Sequence, residues 1–325
     1  MPMNRFPRAS LRILIALILA APLAVGQYAK VDNARPPAPF DAGELLAGPS
    51  LSFLVIGNWG IGGKEQQGLA QAMLLATKRD GVDAVLTTGG NFPGSGVAST
   101  TDAPWVARFE TPYPANALDV PFWATLGEDD HKGNAEAQVA YTGHTLPGGT
   151  RTRWHMPAAF WTTVFTTPNA RLRIRVIGLD TRDFTSGNVE RATRQSAWLD
   201  SVLLASEEQW TLVVGYHPVY SNGAQGNTLG MQRWVKPLLE KHRVDAFVGG
   251  RDHDLQVLAP VKDVRYFVSG CGSKAADTRW ADNSLFAATN LGMLSVQCNE
   301  KTMLVRVLDR EGAVIFAHKS GKSAE

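Results

Sequence analysis

Acidic, imidazole and amide side chains concentrate in five glycine-containing turns: GNWG (57–60), GGNF (89–92), GEDDH (127–131), GYHP (215–218) and GRDHD (250–254). Carboxylates and neutral imidazoles are the groups that ligate cations and move protons. Glu128, Asp129, Asp130 and His131 form the densest run, readable as an acidic metal pocket or as a solvated, hydrogen-bonded loop. Arg251 is a permanent cation that can pair with Glu128, Asp129 or Asp252, or hold an anion. Tyr216 and His217 are expected to pack or hydrogen-bond locally, and Asn58 to cap the turn or helix that follows it. Asp254 answers no catalytic need legible in the sequence. There is no GxSxG elbow, P-loop or HExxH. The two cysteines form no CxxC pair for zinc.

Each turn closes a short apolar run: LSFLVIG (51–57), VDAVLTTGG (82–90), VPFWATLG (120–127), WTLVVG (210–215) and VDAFVGG (244–250). LRIRVIGLD (172–180) and VRYFVSG (264–270) are built alike. Their length and partial β-branching predict buried strands. Helical spacing falls between them, after Gly63 (Leu69, Met73, Ala76), over 190–204 and over 231–239. Consecutive strands are expected at 293–298, 303–308 and 313–318, with Glu311-Gly312 as a turn. Alternation followed by a meander predicts an α/β protein with sheets flanked by helices. Ligands in such folds sit beyond the carboxyl ends of strands, so five polar turns at five strand ends predict one convergent site.

In order and spacing the five turns resemble the calcineurin-like metallophosphoesterases, specifically the purple acid phosphatases of the tartrate-resistant type, whose blocks read GDWG, GDNFY, GNHD, GHxP and GHDH. HKGNAEAQVAY (131–141), LDT (179–181), Gln195 with Trp198-Leu199, and PVYSNG (218–223) extend the resemblance, which covers about residues 51–320. It implies a four-layer α/β sandwich, two mixed β-sheets flanked by helices. It also implies hydrolysis of phosphate monoesters by two cations about 3.5–4 Å apart.

Carried over position by position, the implied ligands are largely replaced. The aspartate of GDWG falls on Asn58, the bridging aspartate of GDNFY on Gly90 and its tyrosine on Pro93. The asparagine of GNHD falls on Glu128, and the neighbouring substrate-contacting histidine on Asp129. The histidine of GHxP falls on Tyr216 and the first of GHDH on Arg251; only His253 keeps the family residue. The resemblance therefore implies no metal and no catalytic residue, in a pseudophosphatase that acts as a binding or scaffold protein. The loop variants are similar to those of the glideosome-associated, phosphatase-like proteins of apicomplexan parasites. The alternative is an active acid phosphatase with Fe, Zn or Mn at a partial site of Glu128, Asp130 and His253.

Composition narrows the partners. The 325 residues are 44% hydrophobic and 19% charged, a globular profile. Arg5, Arg8 and Arg12 precede an apolar run, Ile13 to Val25, with small Ala24 and Gly26 before Gln27. Residues 1–26 are expected to be a signal peptide or signal anchor. Without its three arginines, 29 basic face 30 acidic side chains, so no nucleic-acid partner is expected. Residues 27–50, with Pro36, Pro37 and Pro39, read as a linker, 51–320 as the phosphoesterase-like domain and 321–325 as a tail. The expected location is the secretory pathway, secreted or lumenal, with protein partners and with membrane attachment only if residues 13–25 are retained. An oxidising compartment leaves two readings for Cys271 and Cys298, a disulfide or two buried thiols.

Overall fold

The computed structural model describes residues 45–322. The targeting segment and residues 27–44 of the linker lie outside them. In chain order the strands are β1 (Leu51–Ile56), β2 (Ala84–Thr87), β3 (Phe122–Trp123), β4 (Trp154–His155), β5 (Trp161–Thr166), β6 (Arg173–Gly178) and β7 (Trp210–Val214). They continue as β8 (Ala246–Gly249), β9 (Leu255–Val261), β10 (Val264–Ser269), β11 (Ser284–Ala288), β12 (Gly292–Cys298), β13 (Thr302–Asp309) and β14 (Val314–Gly321). The helices are α1 (Gly63–Asp80), α2 (Ala103–Trp105), α3 (Ala135–Ala140), α4 (Arg182–Thr185), α5 (Val189–Leu204), α6 (Leu229–Trp234) and α7 (Lys236–Lys241).

Two mixed seven-stranded sheets result, ordered β14-β13-β12-β1-β2-β3-β4 and β11-β9-β10-β8-β7-β6-β5. Helices flank them, as the metallophosphoesterase sandwich requires. β1, apolar apart from Ser52, is buried along its length, between antiparallel β12 and parallel β2. Parallel pairing runs β1-β2-β3 in one sheet and β6-β7-β8-β10 in the other. The polar turns leave the carboxyl ends of these strands. Hydroxyls join the sheets there: Ser269 Oγ donates to Val55 O (2.6 Å) and Thr88 Oγ1 to Ser269 O (2.9 Å). Trp59, Phe92, Trp105, Phe109, Tyr113, Phe122, Tyr141 and Trp154 form a buried aromatic cluster beneath the first sheet's turns. The edge-to-face pairs contribute about 0.5–1.5 kcal/mol each beyond their burial.

One expectation needs correction, and one open alternative is decided. The single helix over 231–239 is two short helices, because Pro237 at the start of α7 lacks the N–H that would continue α6. Cys271 and Cys298 are not bonded but free and buried. Cys271 O accepts from Gly292 N at the start of β12, whereas Cys298 ends that strand. Six residues at about 3.3 Å each separate them by about 20 Å, far beyond the ~6 Å a disulfide spans. The Cys271 thiol instead donates to His253 O (3.1 Å).

Candidate functional site

The five turns do converge. Asn58 follows β1 in a left-handed conformation (φ 50°). It does not cap α1, whose N-cap is Gly62 with no side-chain cap; it bridges the sheets instead. Its Nδ2 donates to Gly250 O (2.8 Å) and Gly270 O (3.0 Å). Gly90 follows β2 at φ 66°, and a Cβ there would fall 2.2 Å from Asn58 Oδ1. Pro93 contributes only a carbonyl, which accepts from Arg108 Nη1 (3.0 Å).

After β3 the acidic run divides by orientation. Asp130 is fully buried, and its two oxygens accept from five N–H groups: Gly90 N (2.9 Å), Asn91 N (3.1 Å), Gly127 N (2.8 Å), Phe92 N (3.0 Å) and Gln138 Nε2 (3.0 Å). That set of donors satisfies a carboxylate internally. Asp130 is therefore a loop-ordering group, which corrects its place among the candidate ligands. Asp129 accepts from Gly94 N (2.8 Å) and pairs with Lys132 (2.5 Å). Glu128 is more than half exposed, and its Oε2 lies 3.8 Å from Arg251 Nε. The expected Arg251 pairing thus forms with Glu128, and loosely.

From the second sheet, Tyr216 O accepts from Gly250 N and Arg251 N, both at 2.9 Å, while its buried ring stands edge-on to His217. Thr181 Oγ1 accepts His217 N–H (3.1 Å) and shares a second hydrogen bond with His217 Nδ1 (2.8 Å). Burial, then Arg251 and His131, push the His217 pKa down to about 3. His131 Nε2 donates to Asp180 Oδ1 (2.9 Å). His253 has φ 55° and a buried Nδ1 without a hydrogen-bond partner; burial and then Lys274 lower its pKa.

Two groups escape a sequence reading. Thr181 fixes His217 across 36 residues of chain, and the only signal was the LDT match. Buried Asn91 ties Trp59, Thr87, Thr125 and Gln138 into one network, with nothing in GGNF to mark it.

The tartrate-resistant acid phosphatase type 5 of Homo sapiens is 31% identical over 249 residues, covering 70% of this chain and 74% of that protein. The chain belongs to the purple acid phosphatase family. Two further purple acid phosphatase relatives agree. The type 5 enzyme of Oryctolagus cuniculus is 29% identical over 86% of this chain and 93% of its own length, and purple acid phosphatase 4 of Arabidopsis thaliana is 27% identical over 95% and 94%. No family model matches the chain. Among solved structures, a Plasmodium protein described as GAP50, the anchor in the inner membrane complex, superposes with a TM-score of 0.75 at 24% identity, covering 85% of this chain and 90% of its own. Purple acid phosphatase PPD1 of Lupinus luteus gives 0.63 at 14%, covering 84% and 54%.

The two cations of purple acid phosphatases need anionic oxygens and free imidazole nitrogens converging within about 2–2.6 Å of each ion. This donor set does not fit them. Gly90 presents no side chain, the Asn58 amide faces two carbonyls, Asp130 is enclosed by N–H donors, and Arg251 brings a positive charge. Among the described residues no group of three His, Cys, Asp or Glu side chains is placed to hold a metal ion.

Proposed function

We propose that this chain is a non-catalytic member of the purple acid phosphatase family that works by binding, a scaffold of the secretory or membrane system. The observation that carries this reading is the fate of the ligand positions: Gly90 has no side chain, Arg251 is cationic and the Asn58 amide is committed to two carbonyls, which leaves Glu128 and His253 without the bridging donors that two cations need. Fold alone carries no activity. The likeness to a Plasmodium protein described as a membrane-complex anchor supports a scaffold with protein partners. No helix among the described residues is long and apolar enough to cross a membrane; the apolar run 13–25, where retained, would attach this scaffold to one. The purified protein is tested for bound Fe, Zn and Mn and for aryl phosphate hydrolysis across pH 4–8. The reading expects no near-stoichiometric metal and no turnover. Turnover that a chelator abolishes overturns it.

A further inference from the structure

Three loops meet beside the turn that carries Arg251 and His253. Asp252 and Asp254 precede β9, Ser221–Gln225 leave the turn after β7, and Thr278 lies in the segment before β11, paired to Gly223 by an isolated β-bridge. Gly223 lets the loop backbone close over the carboxyls. A Cβ there would fall 2.7 Å from Asp254 Oδ2 and 2.9 Å from Asp252 Cγ, so both carboxyls flank one point.

The hydrogen bonding there is incomplete. Asp252 Oδ1 accepts from Gln225 N (3.1 Å) and Asp254 Oδ2 from Gln256 Nε2 (2.6 Å). Asp252 Oδ2, Asp254 Oδ1 and Thr278 Oγ1 have no hydrogen-bond partner, although the residues are 1%, 0% and 2% exposed. The hydroxyls of Thr278 and Ser221 stand close to the Asp254 and Asp252 carboxyls and favour their charged forms, Thr278 Oγ1 without a completed hydrogen-bond geometry. Buried oxygens without partners are costly, and two facing carboxyls more so. One proton shared between them satisfies only part of the set. A cation satisfies all three oxygens and offsets both charges. A cleft of about 600 Å³, lined by Asn222, Gly223, Gln225, Asp277, Arg279 and Trp280, lies on the outer side of the Gly223 loop.

We propose that Asp252, Asp254 and Thr278 form a site for one hard, oxygen-liganded cation of the calcium or sodium type, separate from the family's two-metal centre. The bound ion clamps the 218–228 and 271–283 loops onto β9. This inference stands apart from the proposed function.

The test uses the full chain, stripped with EDTA and held in choline chloride. Thermal denaturation and calorimetry follow addition of calcium chloride in one arm and sodium chloride in another, with added choline chloride as the ionic-strength control. One arm is expected to raise the Tm by about 5 °C at a hundredfold excess over its Kd, with near-stoichiometric heat. Asp254→Asn and Thr278→Val lose most of that shift, and Glu128→Gln keeps it. A wild-type Tm unmoved by both ions overturns the site in favour of a shared proton or water. So does a shift that persists in both Asp254→Asn and Thr278→Val.

Discussion

Restoring the bridging carboxylate with Gly90→Asp tests the reading of the vacated centre most directly. The new residue must hold φ 66°, where a side chain costs about 1–2 kcal/mol. Its Cβ would fall 2.2 Å from Asn58 Oδ1, and that amide cannot swing aside without breaking its bonds to Gly250 O and Gly270 O. Two such bonds are worth about 0.5–1.5 kcal/mol each. The expected loss is about 2–5 kcal/mol, a fall in Tm of roughly 5–15 °C for a domain of this size. Thermal denaturation reads it. Asn58→Ala removes the colliding oxygen, so the double variant should recover about 1–3 kcal/mol relative to additivity. No variant in the cycle should bind metal or turn over an aryl phosphate. An unchanged Tm in Gly90→Asp would refute the steric argument, and turnover from that single change would refute the ligand accounting.

Asp254 gives a pH signature in cation-free buffer. Burial, and then the Asp252 charge, raise its pKa to about 7. The folded state holds the proton more tightly than the unfolded chain, so stability is full below about pH 4 and lost as pH rises through about 7. The span is up to about 4 kcal/mol, and Asp254→Asn should flatten the urea-denaturation profile; a profile unchanged by that substitution refutes the assignment. His217 should stay neutral, its ring resonances flat from pH 5 to 8 by NMR, and a titration midpoint near 6 would contradict the lowering of its pKa by burial and Arg251. Cys271 and Cys298 should react with a thiol reagent only after unfolding and show two free thiols by mass spectrometry, and a bonded pair would refute the separation along β12.

The framework was legible because its central strands are apolar runs that end in glycine, as in LSFLVIG, and because both sheets bury them on two faces. The strands that escaped have weaker patterns. β5 and β11 are edge strands of the second sheet with partly exposed residues, and β9 carries Pro260. Convergence of the five turns followed from parallel strands sharing one edge. Orientation within a turn did not follow: of Glu128, Asp129 and Asp130, only the last faces inward, and nothing in three adjacent acids distinguishes them. Long-range partners such as Thr181 and Thr278 lie in loops without periodicity, so no local signal marks them.

The nest of amides around Asp130 has a wider consequence. Backbone segments 90–92 and 127 wind about a covalently attached anion, so that rim is held by the polypeptide itself. Its shape is set at folding and should be indifferent to chelators. Any molecule that docks across that mouth meets a surface already in register.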